Sequence, residues 1–221
     1  MPVEERRKPI HGGLAAAPCR RHPRQARPAP FFILKLGIAA IFLLPIPAFA
    51  HLGIDADHGF GEGFIHPFLG PDHLLVMIAV GLWAFGLGGR ARWLLPLIFL
   101  SAMVAGAGLA FAGISVAYPE LWVVLSVLVS GVIVLRDWRF SLTQACFVAA
   151  LFALSHGYVH ALEIGPDADR TRYALGFLLS TASLHGIGLA TGLLSPVILK
   201  WTRAAVAVSC AAVGLTLLLG A

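Results

Sequence analysis

Three stretches of this chain set ionisable side chains among apolar ones. The first is His66-Pro67-Phe68-Leu69-Gly70-Pro71-Asp72-His73. In an unbroken helix His66 and His73, seven apart, would share a face with Asp72 beside them. Gly70 and Pro71 argue instead for an irregular turn that lets Asp72 and His73 converge. The second is His156-Gly157-Tyr158-Val159-His160-Ala161-Leu162-Glu163, whose offsets of four and three stack three side chains on one helical face. The third is His185, with Thr181 and Ser183 close by. Neutral imidazoles with a carboxylate make a borderline ligand set that suits nickel, cobalt, zinc or iron. Plainer readings exist: solvated helix ends for His66 and Glu163, a hydrogen-bonded packing residue for His185, and core filler for Met77, one turn below His73. They do not cover Asp72, His73, His156 and His160 together, because an ionisable group at the centre of a membrane helix costs about 2.5–3.5 kcal/mol.

The elements that must carry these residues are membrane helices. Hydrophobic residues make up 58% of the 221 and charged residues only 12%, and the apolar residues fall in long runs. Soluble chains average about 25% charged residues, so a soluble enzyme, a disordered chain and a disulfide-stapled module are excluded. Six runs approach the roughly 20 residues needed to cross a bilayer: 66–88, 93–113, 120–135, 141–162, 173–195 and 202–220. The expected fold is all-α, a polytopic membrane protein with six transmembrane helices after a cleavable signal peptide.

Residues 1–50 read as that signal peptide, with a long basic lead and the apolar run Phe31 to Ala50 ending in Ala48-Phe49-Ala50. The alternative is an uncleaved first membrane helix. Cleavage after Ala50 makes His51 the new N-terminus, able to chelate through its α-amine and imidazole. Residues 51–65, with His51, Asp55, Asp57, His58 and Glu62, then form an outward-facing metal-capture segment, and 66–221 the six-helix domain. Arg90, Arg92, Arg136, Arg139, Lys200 and Arg203 flank one set of loops, against Arg170 and Arg172 on the other, which places the first set in the cytoplasm. Spans one, four and five therefore present their histidines toward the outer side, as a vestibule. The lead holds eight of the sixteen Lys and Arg; the remainder carries eight basic and nine acidic residues, which gives no support to nucleic-acid binding. Cys19, Cys146 and Cys210 have no metal or redox spacing. Glycines at 106, 108, 131, 186, 188 and 192 point to close helix packing.

The run from Gly61 to Gly81 contains HPxxGxDH and closely resembles the HupE/UreJ family of nickel and cobalt permeases. Phe152 to Glu163 resembles the family's second motif, FHGxxHGxE, with Ser155 for the usual Phe and Ala161 for the usual Gly. Ser183-Leu184-His185 looks like its third segment. The resemblance implies uptake of Ni²⁺ or Co²⁺ for hydrogenase, urease or cobalamin assembly, with His66, Asp72 and His73 as first candidates and His156, His160 and Glu163 next. The expectation is an inner-membrane permease rather than an enzyme, with the ion as cargo, no cofactor, and a periplasmic mature N-terminus. Its expected partners are a divalent transition-metal ion and the bilayer; nothing in the sequence sets an oligomeric state. The rival is an intramembrane zinc hydrolase using the same His/Asp set to hold a fixed metal with one open position for water. A dedicated base or nucleophile beside the metal, for which Ser183 is a candidate, and a lateral opening for lipid would distinguish it.

Overall fold

Gly70 and Pro71 decide the shape of the first membrane segment. Proline disfavours helical backbone at the residue before it and restarts a helix well at its first position. Gly70 accordingly takes an extended conformation (φ −80°, ψ 111°), and Pro71 opens the next helix. The joint is one residue long and fully bonded: Gly70 donates to the His66 carbonyl (3.2 Å) and accepts from Leu74 (2.9 Å). The two helices meet at 81°. The expected single span over 66–88 is thus two helices, and the break is a hinge rather than an unwound stretch.

The computed structural model describes residues 59–165 and 167–220. Among these the chain is all-helical, with α1 Phe60–Leu69, α2 Pro71–Leu87, α3 Ala91–Phe111, α4 Pro119–Arg136, α5 Leu142–Leu162, α6 Arg170–Thr191 and α7 Pro196–Gly220. Helices α3 to α7 are each long and apolar enough to cross a membrane; α1 with α2 makes a sixth crossing only if the bent pair is one span. The expected signal peptide, its cleavage site and His51 lie outside the described residues. Residues 60–65 of the expected capture segment form the first turns of α1.

Local capping explains where several helices begin. The Asp169 carboxylate accepts from the Thr171 and Arg172 amides (3.1 Å each) and starts α6 earlier than hydropathy implied. A Ser141/Gln144 capping box starts α5. Helix α7 starts at Pro196 rather than 202, so Lys200 and Arg203 belong to its first turns.

Helix α2 is the centre, buried from Leu75 to Ala84 and packed by α3, α4, α6 and α7. Around it α3 pairs with α5, α4 with α7, and α1 lies on α6. Two of these pairs rest on glycines in reciprocal contact. A Cβ on Gly157 would lie 2.0 Å from the Met103 carbonyl oxygen, and one on Gly106 2.2 Å from that of Leu154, which locks α3 onto α5. Gly81 and Gly188 seat α2 on α6 in the same way. Gly108 and Gly186, also expected to pack, face open space. The outward faces show large apolar side chains such as Trp93, Leu97, Phe147, Leu179 and Leu218, as surfaces solvated by lipid do.

Away from the histidines, Asp137 ties the opposite end together. It accepts from Arg203 of α7 (2.9 Å) and Arg139 (3.2 Å), while Trp83 of α2 donates to the Trp138 carbonyl (3.3 Å). Partial burial opposes the Asp137 charge, but the two guanidiniums outweigh it and hold its carboxyl below the usual carboxylate range.

Candidate metal centre

The bend brings three helix ends together. The last turn of α1 supplies His66, the first turn of α2 supplies Asp72 and His73, and the end of α5 supplies His156, His160 and the capping Glu163. The His66 ring lies 5.9 Å from that of His73 and 5.1 Å from that of His160, and the His73 and His160 rings are 3.8 Å apart. Asp72 gains from the amide-rich start of α2.

Two ligand sets result, and they share a member. His66, His160 and Glu163 offer ligand atoms within 4.8 Å of one another, and so do Asp72, His73, His156 and His160. Exposure falls from one set to the next: the side chains of Glu163 and His66 are 49% and 30% exposed, those of Asp72 and His160 17% and 11%, and that of His73 is sealed. Among the described residues neither carboxylate pairs with a Lys or Arg.

Hydrogen bonding fixes where the imidazole protons sit. Glu163 accepts from His160 Nδ1 (2.5 Å), so His160 keeps its lone pair on Nε2, which is buried and has no partner. On α4, the Ser126 hydroxyl gives its one hydrogen to the Val123 carbonyl (2.6 Å), leaving its oxygen to accept from His156 Nε2 (2.8 Å). The His156 lone pair is therefore on Nδ1, which points at His73 Nδ1 (3.1 Å). The remaining proton, on His73 Nδ1, lies between His156 Nδ1 (3.1 Å) and Asp72 (3.5 Å). Ser126 escaped the sequence reading. Its signal is faint: Ser126 and Ser130, four apart, are the two hydroxyl residues of an otherwise apolar helix.

His185 is not in either set; it is buried deeper, against Phe99. Met77 is packed wholly within the core. A cleft of about 240 Å³ lies between α3, α5 and α6, with apolar walls that include Met103, Phe111 and Phe177, and it reaches His160. Ser183 does not line this cleft: it is exposed and donates its hydroxyl to the Leu179 carbonyl (2.8 Å).

Apolar-surfaced helices closed around a cluster of imidazoles and carboxylates define a multi-pass membrane protein with a polar interior site. The family model described as HupE / UreJ protein matches residues 39–217, and the chain belongs to that family. It is 41% identical over 154 residues to Protein HupE of Rhizobium leguminosarum bv. viciae, an alignment covering 69% of this chain and 80% of the relative. No solved structure matches it.

Proposed function

We propose that the protein is an inner-membrane permease that imports a transition-metal dication, Ni²⁺ or Co²⁺, through the cluster of His66, Asp72, His73, His156, His160 and Glu163. The observation that carries this reading is the fall in exposure along two ligand sets joined at His160. A hydrated dication meets Glu163 and His66 first, exchanging water for one carboxylate and one imidazole. His160 receives it and passes it on to Asp72, His73 and His156, of which the two histidines are fully buried. Capture by both Nδ1 atoms requires the His73 proton to move to that ring's other nitrogen, Nε2, which is buried and has no partner. Stepwise exchange keeps each site weak enough to leave, as conduction requires. Two carboxylates without a cationic partner suit a divalent ion.

The histidine end faces the periplasm, in line with the basic residues at the other end. An inside-negative potential of about 100 mV then contributes about 2.3 kcal/mol per charge, so about 4.6 kcal/mol favours entry of a dication. Imidazole and carboxylate ligands alone rank copper above nickel and cobalt, so geometry must set the choice of metal.

Asp72→Ala and His73→Ala are each expected to abolish uptake of radioactive nickel or cobalt into cells while still inserting in the membrane. Normal uptake by both variants refutes the assignment.

A further inference from the structure

Among the described residues, five buried side-chain nitrogen or oxygen atoms have no hydrogen-bond partner: His73 Nε2, His160 Nε2, Thr181 Oγ1, and both ring nitrogens of His185. The first two belong to the cluster above. The other three lie together on α6, one turn apart, below it.

Thr181 is unusual for a helical hydroxyl. Seven other serines and threonines of the bundle bond back to a carbonyl three or four residues earlier, the cheap local solution in a membrane helix. The carbonyl four residues before Thr181 is that of Phe177, and Ser180 already occupies it (2.9 Å). His185 is 1% exposed, with only the edge-on Phe99 ring at 5.0 Å as an aromatic neighbour. A buried polar group left unpaired costs about 1–3 kcal/mol, and three adjoining ones call for an occupant.

Position says what that occupant is. Tyr173, Phe177, Thr181 and His185 follow one another at every fourth residue of α6. The upper two border the metal cluster, with the Tyr173 ring 6.0 Å from His66 and the Phe177 ring 5.2 Å from His73. The lower two continue the row inward. The His185 backbone touches Gly81 of α2, eight residues past His73 and therefore about 12 Å deeper. Phe99 neighbours both levels, its ring 5.0 Å from that of His185 and 6.4 Å from that of His156.

We infer that Thr181 and His185 form a second, deeper station for the same dication, holding it by one imidazole and one hydroxyl while water completes its shell. This rests on the permease reading. A single strong ligand makes the station weaker than the cluster above, so the ion is released toward the far end rather than trapped.

The test uses Co²⁺ and the full chain, in detergent for equilibrium binding and in proteoliposomes for uptake. The wild type should bind two Co²⁺ per chain, one more tightly. His185→Phe fills the volume but has no ligand atom. It should bind one Co²⁺, keep the tighter affinity within about twofold, and take up Co²⁺ at least about tenfold more slowly. Thr181→Val should slow uptake about threefold, and Thr181→Ser should restore it. Wild-type uptake in His185→Phe, or an unchanged second ion in both His185→Phe and Thr181→Val, overturns the station and makes His185 a packing residue. A wild type that neither binds nor moves Co²⁺ overturns the permease reading itself.

Discussion

A serine hydroxyl has one hydrogen to give, and Ser126 gives it to its own helix. That choice forces His156 to present Nδ1 to the cluster, so Ser126 acts on an ion only by orienting the imidazole that would hold it. Ser126→Ala should weaken Co²⁺ binding about 10- to 100-fold, the usual loss when a ligand's outer partner is removed, whereas Ser126→Thr retains the hydroxyl and most of the affinity. Binding isotherms of the two variants check this; equal affinities would make Ser126 a packing residue. The difference in legibility between these residues is physical. His66, Asp72, His73, His156, His160 and Glu163 stand out because imidazoles and carboxylates are expensive in hydrocarbon. A serine in a membrane helix conceals itself by bonding to its own backbone, so its type and position alone do not reveal a second bond to a histidine 30 residues away.

At the level of helices, the Gly-Pro pair announced a break, but its 81° angle depends on α1 settling against α6, a tertiary contact that no local pattern encodes. Composition likewise pointed to glycine-mediated packing without saying which glycines meet a neighbour. Gly157→Ala would push a methyl into the Met103 backbone and part α3 from α5, moving His156 and His160 away from His73. It should lower stability by about 1–3 kcal/mol and suppress uptake. Gly186→Ala, with open space around it, should be neutral or stabilising by up to about 1 kcal/mol. Thermal unfolding in detergent separates the two. The far end offers a pH test. Because the folded state depresses the Asp137 carboxyl, its contribution is complete above the ordinary carboxylate pKa and fades as the pH falls through the lower folded value. Wild-type stability should therefore drop over that acid range more than that of Asp137→Asn, as measured by melting temperature against pH; parallel curves would remove the link.

For the molecule as a whole, hydropathy conveyed the rough limits of five membrane helices, because lipid imposes a length on every apolar run, but it read the bent pair α1 and α2 as one span. The partners of each helix were not legible. Nothing in the chain's periodicity says that α2 is enclosed by four neighbours while α3 and α6 part enough to leave a cleft beside His160. The choice of central helix follows from shape complementarity, which is a property of pairs.

Among the described residues no lysine or arginine pairs with Asp72 or Glu163, and this has a consequence for durability. A dication bound among the side chains of three helix ends would tie those ends together. At an ion concentration about 100 times the dissociation constant, linkage supplies about 2.7 kcal/mol, or roughly 5–10 °C in melting temperature for a chain of this size. Stripping the purified protein with a chelator should lower its melting point by that much, and titrating Ni²⁺ or Co²⁺ back should restore it; Asp72→Asn should respond to neither. If the permease reading holds, the protein would survive longest in the membrane when its metal is plentiful and be the first to unravel in a cell starved of it.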